Sequence, residues 1–133
     1  MKTIFLHGLF SAFLAGLAAL IYNTVYSRAF ESDFSAIINP FGIFASSIFG
    51  CMIASVGYYF FARRIKTRTD VWFNAIFLLL TFATLISVFS LTLPFTIKTP
   101  ELFIGLSVPM HFFPILFWLS TKPLFDYNKP IRK

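Results

Sequence analysis

Four stretches of this chain, residues 4–26, 40–62, 71–93 and 102–120, pass without one Asp, Glu, Lys or Arg. An α-helix needs about 20 predominantly apolar residues to cross a hydrocarbon core about 30 Å thick. Composition closes the soluble alternative. Of 133 residues, 58% are hydrophobic and 12% are charged, whereas an ordinary soluble domain carries about 25% charged residues. A soluble fold this small exposes too much of its surface to hide such an apolar excess. The expectation is an all-α integral membrane protein. Residues 1–133 form one domain of four transmembrane helices in an up-down bundle, with spans at about 4–26, 40–62, 71–93 and 100–120.

The net charge of +6 does not point to nucleic acid, because the basic residues lie in short segments between and after the apolar runs. With four spans, Lys2, the loop residues Arg63, Arg64, Lys66 and Arg68, and the tail residues Lys122, Lys129, Arg132 and Lys133 share one side. Only Arg28 and Lys98 fall on the other. Short loops obey the positive-inside rule, so both termini are expected in the cytoplasm. Trp72, Trp118, Tyr58 and Tyr59 fall near the inner interface and Tyr22 and Tyr26 near the outer one, the levels that Trp and Tyr prefer.

Along the chain, Ser27-Arg28-Ala29 resembles a signal-peptidase site. The preceding apolar run exceeds the 7–15 residues, roughly, of a signal core, so a retained helix is expected. Gly8, Ala12 and Gly16 recur every fourth residue, a spacing that lets helix backbones approach closely in lipid. Phe30, Phe34, Ile37 and Ile38 have roughly helical spacing, which predicts a short amphipathic segment at the lipid surface. Asn39-Pro40 supplies an N-cap and a first-turn proline for the second span. That span carries two small-residue ladders: Gly42, Ser46, Gly50 and Ala54, and beside them Ser47, Cys51 and Ser55. Tight packing is the ordinary reading of both and a polar pathway the sharper one. Asp70 is expected to cap the third span, which stops at Pro94. Thr81, Thr84 and Ser87 share one face of it, either lining a seam or bonding their own backbone. Thr99-Pro100-Glu101 opens the fourth span, and the tail from Thr121 to Lys133 is expected to be solvated.

No Gly-x-Gly-x-x-Gly, Walker loop, His-Glu-x-x-His or Gly-x-Ser-x-Gly occurs. The lone Cys51 forms no disulfide within the chain and no Cys-x-x-Cys pair. No carboxylate lies well inside a span, which argues against a proton-coupled exporter. These absences favour a protein that is not an enzyme and holds no metal or cofactor.

The exception is Ser107-Val-Pro-Met-His-Phe-Phe-Pro114. His111 stands almost at the midpoint of the fourth span, where a polar side chain is costly and normally faces protein. Pro109 cannot bond the carbonyl of Gly105, nor Pro114 that of Met110, so a kink and two freed acceptors are expected beside it. By depth, His111 shares a layer with Cys51, Thr81 and Thr84. The candidate intramembrane polar site is therefore His111, Pro109, Pro114, Cys51, Thr81 and Thr84, with a bent packing joint as its plainer reading. A Cys–His pair lacks an orienting acid nearby. His7 lies about 10 Å from mid-depth at 1.5 Å per residue, so bis-histidine haem fits poorly within one chain.

The Pro109-Met-His-Phe-Phe-Pro114 segment, the Asn39-Pro40 entry to a Gly/Ser-rich span and the basic loop after it resemble those of a family of small bacterial four-span membrane proteins of unknown function. The resemblance implies four helices in a bacterial cytoplasmic membrane and no particular activity. Three functions stay open: an accessory or assembly subunit, or a homo-oligomer, using the small-residue faces for contacts with itself or a larger complex; a small transporter, channel or ligand binder with its site around His111; and a membrane redox or haem protein. The expected partners are the lipid bilayer and other membrane proteins, not nucleic acid.

Overall fold

A computed structural model of the chain describes residues 2–65, 68–94, 97 and 99–125. Four α-helices follow one another: α1 Lys2–Ala29, α2 Pro40–Arg64, α3 Thr69–Ser90 and α4 Pro100–Thr121, the last continued by a 3₁₀ turn at Lys122–Phe125. All four are long and apolar enough to cross a membrane, with no strand among the described residues. The chain is an all-α, up-down four-helix membrane protein. The start of α1, the end of α2, the start of α3 and the end of α4 meet at what is called below the basic end.

α1 is the most enclosed helix and α3 the least. α1 packs on both α2 and α4, and α3 leans on α4, while α2 and α3 touch each other little. The reason is the stripe Ile4, His7, Gly8, Ser11, Ala12, Ala15, Gly16 and Ala19, all buried and recurring at three- and four-residue spacing. At Gly8 the approach is closest: a Cβ there would collide with Ser55 Oγ and lie 3.1 Å from the Cys51 carbonyl oxygen. A Cβ on Gly16 would press on the Phe44 ring at 3.2 Å. Dispersion between closely approached backbones replaces the hydrophobic effect as the force between helices in lipid.

The helix starts follow the sequence in part. Asn39 caps α2, its side-chain oxygen accepting from the Gly42 amide at 2.6 Å ahead of Pro40. Thr99 stands at the N-cap of α4 before Pro100 and Glu101, without a side-chain cap bond. Asp70 does not cap α3. Arg68 holds the cap position in left-handed backbone (φ 55°), and Asp70 sits in the first turn. There its carboxylate accepts from the Tyr58 hydroxyl at 2.5 Å and pairs with Lys122 Nζ at 2.6 Å. α3 ends at Ser90, with Leu91 already extended.

Two further expectations are corrected and one is sharpened. Residues 30–39 form turns rather than an amphipathic helix, and Phe34 points into the bundle, 2% exposed, edge-on to Phe103 at 5.6 Å. The Tyr22–Tyr26 end of the bundle closes around it, with Val88, Phe103 and Leu106. Second, Tyr58 and Trp118, at the basic end beside Asp70 and Lys122, point into the bundle, 1% and 0% exposed, packed with Ile4, Ala54 and Phe73. Third, the tail does not begin as a solvated end: Thr121 is buried, and Phe125 returns to the His7 ring at 5.2 Å. Residues 126–133, with most of the expected tail, lie outside the described residues, as do Lys66 and Lys98.

Candidate functional site

Because α2 and α3 stand apart, a cavity of about 820 Å³ opens between them with α4 as its floor. Its apolar wall includes Ile43, Phe61, Phe73, Phe77 and Met110. Its polar groups are Asn39 near one end and then Ser46, Ser47, Thr81, Thr84, Ser87, Ser107 and His111. The lining contains no Asp, Glu, Lys or Arg among the described residues. Phe49, Ile53 and Leu80 belong to it and are also more than half exposed, so its mouth faces sideways, where lipid would lie.

Four residues of the candidate set, His111, Pro114, Thr81 and Thr84, meet in this lining. Cys51 lies just behind, fully buried, its Sγ 3.9 Å from the Pro114 carbonyl oxygen. Pro109 is not in the lining. Its effect is elsewhere: the Gly105 carbonyl that it leaves without an intrahelical donor accepts from the Tyr22 hydroxyl of α1 at 2.9 Å. One turn earlier the Tyr26 hydroxyl donates to the Leu102 carbonyl at 3.0 Å. α4 runs as helix through both prolines.

The two ladders of α2 divide between packing and cavity. Ser47, Cys51 and Ser55 are buried, and the Ser55 hydroxyl donates to the Cys51 carbonyl at 3.0 Å. Gly42, Ser46, Gly50 and Ala54 all line the cavity. The α3 hydroxyls do both things considered for them. They line the cavity, and they donate to their own helix: Thr81 to Phe77 at 2.9 Å, Thr84 to Thr81 at 2.6 Å and Ser87 to Thr84 at 2.6 Å.

His111 is held by one nitrogen. Nδ1 lies 2.8 Å from the Ser107 carbonyl oxygen. A carbonyl only accepts, so Nδ1 carries the proton and the neutral ring presents Nε2 as a bare acceptor. The Ser107 hydroxyl is buried, lines the same cavity and has no hydrogen-bond partner among the described residues.

A second polar cluster escaped the sequence reading. At the basic end His7 is fully buried, its Nε2 3.1 Å from the Trp118 carbonyl oxygen and 3.0 Å from Thr121 Oγ1. Thr121 spends its own proton on the Phe117 carbonyl at 2.6 Å. It therefore accepts from His7, and from the Ser11 hydroxyl at 2.7 Å. The His7 ring lies 4.3 Å from that of Trp118. The available signal was the His7/Ser11 pair at four-residue spacing, on the face of Gly8 and Ala12. No group of three or more His, Cys, Asp or Glu suited to a metal ion occurs among the described residues. No family model, curated protein sequence or solved structure matches the chain.

Proposed function

We propose that this four-helix membrane protein binds a small, largely apolar ligand in the cavity between α2, α3 and α4, reached sideways from the lipid. The observation that carries the reading is that about 820 Å³ of space contains His111 and Ser107, two polar side chains with unused hydrogen-bonding capacity. Ligand sites are mostly apolar hollows of roughly 300–1,000 Å³ with a few placed polar groups. An ionisable group inside a membrane is normally there for function. The accessory-subunit reading has weaker support. Of the two small-residue faces it would use, the α1 stripe is occupied inside the bundle, against α2.

The test is extraction of the full chain in mild detergent, followed by native mass analysis and identification of retained small molecules. The expected result is one molecule per chain, lost in Gly50→Leu. Gly50 lines the cavity, and a Cβ there would meet only Pro114 Cβ at 3.9 Å, so a larger side chain fills the space without breaking a contact. A cleft occupied instead by a helix of another protein, captured by crosslinking in cells, would return the chain to the accessory class.

We also propose that the chain sits in a bacterial cytoplasmic membrane with both termini inside. The clustering of Lys and Arg at one end supports this orientation, and the family resemblance of the last span supports the compartment. Reporter fusions at the C-terminus, active only when cytoplasmic, test the orientation.

A further inference from the structure

The cavity's hydrogen bonding is lopsided, and that narrows what it can hold. Of the hydroxyls lining it, those of Ser46 and Ser47 donate to the Ile43 carbonyl at 2.9 and 3.0 Å. Thr81, Thr84 and Ser87 are committed in the same way to α3. Each keeps only oxygen lone pairs for a ligand. His111 adds Nε2, a further acceptor, because its proton is held on Nδ1 by the Ser107 carbonyl. Among the described side chains of α3, α4 and the middle of α2 that line the cavity, the one proton left uncommitted is that of Ser107.

A cavity rich in acceptors and poor in donors selects a ligand that brings protons. The missing charges select further. A carboxylate or phosphate would enter a low-dielectric space without one Lys or Arg in the lining, and a full cation would find no carboxylate. Burying an unpaired charge is prohibitive beside burying a hydroxyl. Resting on the ligand-binding reading above, we infer that the occupant is an uncharged amphiphile whose polar end is a hydroxyl, a phenol or alcohol on an apolar body. Its O–H donates to His111 Nε2, and its oxygen accepts from Ser107 Oγ. The two side chains stand one helical turn apart, within reach of one small polar head. This places that head near mid-span, with the apolar body along Phe73, Phe77 and Met110.

The experiment uses the full chain in lipid nanodiscs, with empty nanodiscs subtracting simple partition. Radiolabelled para-nonylphenol is compared with its methyl ether, para-nonylanisole, which keeps the shape and loses the proton. The expected result is binding of the phenol about tenfold tighter than of the ether, one hydrogen bond's worth in a dry site. His111→Phe is expected to bring that ratio close to one. Ser107→Ala, which removes only an unpartnered hydroxyl and cannot disturb folding through a lost bond, is expected to lower phenol affinity about threefold. Equal binding of phenol and ether would overturn the hydroxyl assignment and leave the ligand-binding reading standing. Tighter binding of decanoate or of dodecyltrimethylammonium would replace the uncharged head with a charged one. No binding above empty nanodiscs by any of the four probes would overturn both.

Discussion

His7 donates through Nε2 and His111 through Nδ1, and the two rings have opposite surroundings. His7 is fully buried between α1 and α4, with a carbonyl and a hydroxyl on Nε2 and the Trp118 ring against it. His111 makes one bond, to its own helix, and turns its other nitrogen to a cavity. Both sit in spans where a polar group is expensive. One repays that cost by joining two helices. The other bonds only its own helix and leaves its second nitrogen at the cavity.

The largest expected effect is at the engaged ring. His7→Phe removes both bonds and leaves Thr121 Oγ1 and the Trp118 carbonyl short of a donor, at about 3 kcal/mol. Reversible unfolding in bicelles measures it. His111→Phe in the same assay should cost less than about 1 kcal/mol, and equal losses would erase the distinction between the rings. Next is Tyr22→Phe, which takes the replacement donor from the Gly105 carbonyl, at about 1 kcal/mol. In a Pro109→Ala background the helix regains its own N–H for that carbonyl, so the cost should largely vanish. A double-mutant cycle reads this directly. Asp70→Asn removes the pair with Lys122. The two side chains are 42% and 17% exposed, so solvent screening holds the effect to about 0.5–1 kcal/mol, shrinking in high salt. Ser107→Ala should be smallest, within about 0.5 kcal/mol of wild type, because its hydroxyl has no bond to lose.

Acid supplies one more separation, away from both rings. The Ser35 hydroxyl and amide beside Asp33 hold its carboxyl below the usual carboxylate range. A lowered value lends stability above the unfolded pKa and withdraws it as pH falls through the folded one. Acid loosening of the 31–39 turns should therefore begin as pH falls into the ordinary carboxylate range and be complete only below it, and Asp33→Asn should remove that pH dependence, as followed by amide exchange.

The spans and the α1 stripe could be read from the chain because lipid imposes a length and close packing imposes a period. The freed Gly105 carbonyl was legible too, since proline's missing N–H is a local fact. Its partner was not: Tyr22 is 83 residues away and looked like an interfacial anchor. His7 was missed for the same reason. Its acceptors lie 111 and 114 residues distant, at the end of α4, where residues from Thr121 onward read as the start of a solvated tail. The grouping of His111, Thr81 and Thr84 was reached by depth alone. The space between them was not, because a gap between helices has no signature in either.

The Tyr22 bond to Gly105 also bears on the order in which the protein is made. α4 is made after α1 and carries a proline that cuts its own ladder, and the donor that closes the gap is on α1. Until the fourth span finds the first, it stands in lipid with an orphaned carbonyl at Gly105, a state that a membrane tolerates poorly. A chain halted before α4 would hold α1 with the Tyr22 and Tyr26 hydroxyls lacking the carbonyls they bond in the complete bundle.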